Sequence, residues 1–196
     1  VHRAVSGGCA FDDDSRAAGA RSGSHVHGGG GGVTTTRRCD VLIVGAGPAG
    51  LIAARELAAA APGLDVTVVE RDRAIGSPVR CGEGVGSQGI AEFIDPAAAP
   101  WISRRITRVI FLAPDGTEVR VAEGDVGYIL DRSRLEPVLA EQAGRSGAEL
   151  LIGCEVTGLE RSSWGWQVAT RGPGGEGRIE ARLIIAADGV ESMVGR

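Results

Sequence analysis

Three glycines and one glutamate carry the clearest chemistry in this sequence. Gly45, Gly47 and Gly50 fall in the run Gly45-Ala46-Gly47-Pro48-Ala49-Gly50, and Glu70 follows Gly50 by twenty residues. In a strand-to-helix turn each glycine does a different job. Gly45 permits the tight turn, Gly47 lets backbone approach a pyrophosphate, and Gly50 lets the helix pack close to the sheet. The phosphates then rest on N–H groups at a helix N-terminus, where the dipole favours negative charge. A carboxylate at the offset of Glu70 accepts hydrogen bonds from an adenosine ribose. Glycine spacing alone is a weak signal, and its context makes it specific. Val41-Leu42-Ile43-Val44 before the turn and Val68-Val69 before Glu70 read as strands, and the Ala/Leu-rich segment from about Ala49 to Ala60, stopped by Pro62-Gly63, reads as the helix between them.

Composition bounds the rest. The chain has 196 residues, 43% of them hydrophobic, enough for one full domain or one and a part. Its net charge of −4 argues against a nucleic-acid partner, and all 21 basic residues are Arg, which excludes a Schiff-base or P-loop lysine. No window approaches the roughly 18 apolar residues of a membrane helix. The cysteines, Cys9, Cys39, Cys81 and Cys154, lack C-x-x-C spacing. Zinc and thioredoxin-type readings therefore fall away, no metal is expected, and reduced thiols in a cytoplasm are the expectation. Cys39 and Cys154 sit in or beside apolar strand runs and read as small buried hydrophobes.

Along the chain, residues 1–38 combine an Asp triplet, all three histidines and the run Gly28 to Gly32 with no apolar period, and read as a disordered Gly-rich tail. Residues 39–196 read as one incomplete domain. Ile75 to Val85 is too rich in Gly and Pro for a helix or central strand. Ile106 to Leu112 and Thr117 to Val121 flank the hairpin signal Pro114-Asp115-Gly116, and Gly127 to Asp131 is a further extended piece. A helix follows that carries Leu135, Val138, Leu139 and Ala143, with Ser133 as its cap and Pro137 near its first turn. Glu149 to Ile152, Glu155 to Leu159, Trp166 to Thr170 and Ile179 to Arg182 read as strands, and Leu183 to Ala187 as a buried parallel strand ending in Asp188-Gly189.

At Arg80-Cys81-Gly82-Glu83-Gly84 the chain departs from a generic dinucleotide binder. It resembles the geranylgeranyl reductase family of flavoproteins, closest to the archaeal-type digeranylgeranylglycerophospholipid reductases, within the p-hydroxybenzoate hydroxylase-like fold. The glycine motif, Arg132-x-x-Leu135-x-x-x-Leu139-x-x-x-Ala143 and the Asp188-Gly189 exit support this, and the resemblance covers Asp40 to Arg196. It implies an α/β fold: a Rossmann-like FAD-binding βαβ domain with an inserted antiparallel sheet, here truncated at the C-terminus relative to family members.

The resemblance also implies roles. Gly45, Gly47, Ala49 and Gly50 would hold the FAD pyrophosphate, and Glu70 with the adjoining Arg71 the ribose region. Cys81, Gly82 and Gly84 would face the flavin. Arg132 would reach the phosphate or ribose, Val156 would pair its backbone with adenine, and Asp188-Gly189 would lie between the flavin and the electron-donor side. Cys81 and Glu83 are the catalytic candidates: Cys81 by contact, Glu83 as proton donor, because an isolated alkene needs a proton before it accepts hydride. Arg80 either lowers the Cys81 pKa or anchors the loop to a carboxylate. The plainer alternatives are a packing role for Cys81, a capping role for Glu83, an ion pair at a helix start for Arg132 and an ordinary strand exit at Asp188.

The implied activity is reduction of geranylgeranyl double bonds in an isoprenoid lipid, with ferredoxin or a nicotinamide as electron donor, in the cytoplasm with peripheral contact at the inner membrane surface. An aromatic monooxygenase and a flavin-binding fragment without turnover are the competing expectations.

Overall fold

The computed structural model describes residues 6–7, 36–96 and 99–195. These divide into two compact units: the first runs to Ile75 and resumes at Val138, and the second is Gly76–Pro137, inserted between its halves.

The first unit is built on the expected βαβ. Strand β1 is Ser6–Gly7, β2 is Thr36–Val44, helix α1 is Pro48–Ala60 and β3 is Val66–Glu70. Val41 to Val44 and Val66 to Val69 are all buried, as strands covered on both faces require. On α1 the buried positions are Gly50, Leu51, Ala54 and Ala58, one stripe at helical spacing. Leu51, fully buried, contributes roughly 2 kcal/mol by leaving water. Strands β7 (Glu149–Ile152), β8 (Glu155–Arg161), β9 (Trp166–Gly172) and β10 (Gly175–Ala186) complete a sheet of order β1-β7-β3-β2-β10-β9-β8. Its pairs are parallel from β1 to β10 and antiparallel from β10 to β8.

The second unit is the expected antiparallel sheet. Strand β4 (Gly84–Gly86), helix α2 (Ser87–Ala91), β5 (Ile102–Leu112) and β6 (Glu118–Leu130) give the order β4-β6-β5. Helix α3 (Arg132–Ser146) carries the chain back to the first unit.

Several expectations are corrected. The tail does not extend to residue 38: Thr36 to Arg38 pair with Arg178 to Glu180 of β10, and Arg37 bonds Glu149 while Arg38 bonds Glu180. Ser6–Gly7 also pairs, parallel, with Leu151 and Ile152. The Asp triplet, the histidines and Gly28 to Gly32 lie outside the described residues. The two pieces placed at Thr117 to Val121 and Gly127 to Asp131 are one strand, because register shifts along β5 absorb the break around Gly124 (φ 115°). Ile179 to Arg182 and Leu183 to Ala187 likewise belong to one strand, β10, as far as Ala186. That strand is parallel to β2 as expected, but its last part is not buried, since Leu183 is 53% exposed. Its backbone bonds fix the strand, whereas burial depends on what lies over the face, which an apolar run does not specify. The cap of α3 is Asp131 rather than Ser133. Asp131 accepts from Arg134 N at 3.1 Å and Leu135 N at 2.9 Å through its carbonyl, and from the Ser133 hydroxyl at 2.5 Å through its carboxylate.

Cys39 packs in the core as expected, and burial pushes its thiol up to about 12. Cys154 is buried too, but it is disulfide-bonded, so the expectation of reduced thiols fails there.

Candidate functional site

Two arrangements can do chemistry, one in each unit. In the first unit β2 and β3 are neighbours, and the turn leaving β2 is drawn tight at their C-terminal ends: Gly45 N donates to Val69 O at 2.8 Å, and Ala187 N to Val44 O at 2.8 Å. Gly45 adopts φ 103°, a conformation that side chains avoid. A Cβ there would lie 2.3 Å from Ala187 O, and one on Gly50 would lie 2.0 Å from Gly45 O. Both glycines thus answer to crowding within the chain, as the tight-turn and close-packing roles require.

Gly47 differs. As N-cap of α1 it has φ −74° and ψ 179°, open to any residue. No side chain caps α1, and its first turn holds no acidic residue. Pro48 has no N–H, and the first helical bond is Leu51 N to Gly47 O at 3.0 Å. The N–H groups of Ala49 and Gly50 lie ahead of it, pointing out of the helix start toward an anion site.

Glu70, at the end of β3, brackets the same turn. Its Oε2 accepts from Ala46 N at 2.7 Å and its Oε1 from Asp72 N at 2.8 Å. A carboxylate offers about four acceptor positions, so two remain for ribose hydroxyls. The Glu70 carbonyl accepts from Cys154 N at 2.6 Å, and Val156 lies two residues on in β8. Arg71 points elsewhere: its guanidinium pairs with Glu191 at 2.5 Å, both side chains being exposed. Between exposed groups such a pair is worth at most about 1 kcal/mol.

The backbone of Ala187 and Asp188 lies against Gly45, as the crowding there requires. The Asp188 side chain turns into its own turn. It accepts from the Ser192 hydroxyl at 2.7 Å, Met193 N at 2.7 Å and Val194 N at 3.0 Å. Desolvation acts to raise its pKa, but these bonds together outweigh it and hold Asp188 below the usual carboxylate range. Gly189 follows with φ 71°.

A depressed folded value adds stability that is complete above the ordinary aspartate range and lost as pH falls through the folded value. Asp188→Asn should therefore destabilise the chain most near neutral pH, with the gap to wild type closing below about pH 4. Urea titrations at neutral and acid pH check this; a gap that does not change with pH contradicts it.

The second arrangement is centred on Glu83. It is the one non-glycine residue with positive φ, 60°, among the described residues. Such a conformation costs about 1 to 3 kcal/mol and persists only where its surroundings hold it. Here three hydrogen bonds do so: Glu83 N donates to Cys81 Sγ at 3.4 Å, Glu83 O accepts from Leu130 N at 2.9 Å, and Glu83 Oε1 accepts from Arg132 N at 2.8 Å. Glu83 therefore takes the first N–H of α3 in a capping role, beside Asp131, whose carbonyl takes the next turn's donors.

The Cys81 thiol responds to Glu83 and to Arg132. The exposed thiol is held below its ordinary value first by the Glu83 N–H, with burial opposing, and then by a hydrogen bond and charge from Arg132. Arg132 in turn donates from Nε to Glu136 at 2.6 Å and pairs with it through Nη2. Glu136, only 6% exposed, was not among the expected residues, although its signal, an Arg and a Glu four apart on a helix, is in the sequence. A Cβ on Gly82 would meet nothing within 4 Å, and one on Gly84 only Ile129 at 3.9 Å. Neither glycine is required by its own chain.

A family model described as FAD binding domain matches residues 38–196. The chain belongs to this FAD-binding domain family. Within it, the chain is similar to the digeranylgeranylglycerophospholipid reductase of Methanocella arvoryzae, 41% identical over 162 residues, which are 80% of this chain and 41% of that protein. Its fold is similar to that of a geranylgeranyl bacteriochlorophyll reductase-like protein from Thermoplasma acidophilum, with TM-score 0.68 and 30% identity over 80% of this chain and 40% of that one. Aklavinone-11 hydroxylase, solved with FAD and aklavinone, gives TM-score 0.59 and 27% identity over 80% of this chain and 34% of its own. The chain thus spans about two-fifths of the length of the curated relatives it matches. FAD is the cofactor of the family, and the first unit of this FAD-binding domain fits it. The uncapped N-terminus of α1 suits the diphosphate and the spare acceptor positions of Glu70 suit the adenosine ribose.

Proposed function

We propose that the chain is the FAD-binding part of a reductase that saturates carbon–carbon double bonds in the geranylgeranyl chains of an isoprenoid glycerophospholipid. The reading is carried by the 41% identity to a protein of that activity, across a stretch that includes both residue arrangements above. FAD, when bound and reduced, supplies the hydride for such a reaction.

The chain's own residues do the rest. Ala49 and Gly50 present N–H groups to the diphosphate, and Gly47 leaves it room. Glu70 takes the ribose, and Val156 offers backbone to the adenine. Cys81 and Glu83, with Gly82 and Gly84, serve the reactive end of the flavin, where an alkene carbon needs a proton. Arg132 belongs to this group through Cys81, and Asp188-Gly189 forms the turn at the far side of the glycine loop. A ferredoxin or a nicotinamide is the electron donor, and a lipid substrate calls for peripheral contact with a membrane surface.

The similarity to aklavinone-11 hydroxylase supports a second reading, an aromatic monooxygenase. Purified protein separates the two. This chain should be yellow with bound flavin. A form extended to the length of the relatives, reduced with dithionite, should add one dihydrogen per double bond to digeranylgeranylglycerophospholipid, read by mass spectrometry. Oxygen- and nicotinamide-dependent hydroxylation of a phenol, with no prenyl reduction, would establish the monooxygenase instead. Flavin without either turnover would leave a binding module.

A further inference from the structure

We propose that Arg71 is a contact for the cofactor's diphosphate, and that Glu191 is a built-in competitor for it: Arg71 rests on the Glu191 carboxylate in the free chain and leaves it for the diphosphate when FAD binds. In the sheet order β3 and β10 flank β2, so their C-terminal ends lie about 10 Å apart with the end of β2 between them. Arg71 is the residue after β3, and Glu191 closes the short helical turn Gly189–Glu191 that follows β10. Arg71 Nη2 donates to Glu191 Oε2 at 2.5 Å. The pair thus joins the two flanking strands at the end where β2 gives way to the glycine turn.

Both ends of this bridge stand against that turn. Glu70, next to Arg71, takes Ala46 N at 2.7 Å. On the other side, Asp188 Cα would lie 3.0 Å from a Cβ on Gly45, and Ala187 Cβ 3.3 Å from one on Gly50. The exit of β10 therefore adjoins the first turn of α1, whose Ala49 and Gly50 N–H groups are offered to an anion. That turn holds no acidic residue and no side-chain cap, and the Asp188 carboxylate is engaged by Ser192, Met193 and Val194. Glu191 is the carboxylate that the β10 exit sends across to Arg71.

A guanidinium takes carboxylate and phosphate oxygens in the same forked geometry, so one can replace the other. The side chains of Arg71 and Glu191 are 43% and 60% exposed, which leaves their pair screened by water and open to exchange. The charged groups around Arg71 are Glu191, Asp72 and Glu70, and together they hold the guanidinium above its ordinary value, the bond to Glu191 foremost. The inference rests on FAD binding and is independent of which substrate is reduced.

The test titrates FAD into the apo chain, followed by flavin fluorescence, with ADP and adenosine as competitors. Arg71→Met should weaken FAD roughly tenfold, through loss of one charge-assisted contact. Glu191→Gln, which frees the guanidinium, should tighten FAD several-fold, and Glu191→Ala should do the same. With both Arg71→Met and Glu191→Gln in one chain, FAD should bind as in Arg71→Met alone, because Glu191 acts through Arg71. ADP should follow FAD across the variants, whereas adenosine, which has no phosphate, should bind all of them alike. Wild-type affinity in Arg71→Met overturns the contact. Weaker FAD in the Glu191 variants makes Glu191 a support and overturns the competition; a gain that persists beside Arg71→Met reduces it to general repulsion and overturns it too. Adenosine binding that falls in Arg71→Met places the guanidinium at the ribose and overturns the diphosphate role. A wild-type chain without a saturable FAD site undoes the cofactor site itself, an outcome distinct from any ranking of variants. Circular dichroism checks that each variant folds, as substitutions at exposed positions should.

Discussion

Gly50→Ala is expected to lower the unfolding free energy by roughly 2 to 4 kcal/mol, a large change for one methyl group. The added Cβ would stand 2.0 Å from the carbonyl oxygen of Gly45 and 3.3 Å from the Ala187 Cβ. The first contact is with backbone, which cannot rotate aside as a side chain can. Gly45 is itself pinned by its N–H on Val69 O, and Val44 before it by Ala187 N, so relief requires α1 to lift from the sheet. Leu51, the next residue, would then lose burial. Gly45→Ala should cost at least as much, because its Cβ would stand 2.3 Å from Ala187 O and its φ of 103° is itself unfavourable for alanine. Urea unfolding followed by circular dichroism checks both; a loss below about 0.5 kcal/mol would show that the turn yields easily.

Gly47→Val should do the reverse: leave the apoprotein near wild-type stability and remove flavin binding. At φ −74° and ψ 179° the backbone already has the extended conformation that valine prefers, so no backbone strain opposes the substitution. A ligand does oppose it, because the diphosphate must come close to the backbone at this position to reach the N–H groups behind it. Loss of that approach should weaken FAD by at least about a hundredfold, roughly 2.7 kcal/mol. The purified variant should be colourless and fluorescence titration should give no tight site. Flavin retained as in wild type would mean that the phosphates lie elsewhere. Taken together, the Gly50 and Gly47 variants separate glycines that the protein needs from one that its ligand needs.

The parts of the fold that can be read from the sequence are those whose cause is local. The glycine turn, the strands on either side and Glu70 follow from spacing, since the turn, the helix start and the carboxylate lie within one βαβ unit. The hairpin at Pro114-Asp115-Gly116 is equally plain, and Gly116 does adopt φ 85°. What escapes depends on partners far along the chain. The approach of Arg132 to the Glu83 loop is not legible locally, because it depends on β6 delivering the start of α3 there, Leu130 N reaching Glu83 O at 2.9 Å and Arg132 N reaching Glu83 Oε1 at 2.8 Å. Glu136 draws no notice in the sequence because most helical glutamates face water, and only its burial beside Arg132 sets it apart. Leu183 to Ala187 has the composition of a buried strand, and composition reports what a residue tolerates rather than what covers it. Thr36 to Arg38 resembles tail because polar residues hide a strand whose bonds come from β10.

The bracket that Glu70 forms on Ala46 and Asp72 has a consequence for affinity. A glutamate free in solution samples many rotamers, and a ligand that must still it gives up about 0.5 to 1.5 kcal/mol in doing so. Here both carboxylate oxygens are already anchored to backbone N–H groups at 2.7 and 2.8 Å, those of Ala46 and Asp72. The side chain was stilled when the chain folded. An arriving nucleotide meets an acceptor whose direction is set, and the entropy of that ordering is charged to the stability of the protein, leaving the strength of the complex undiminished.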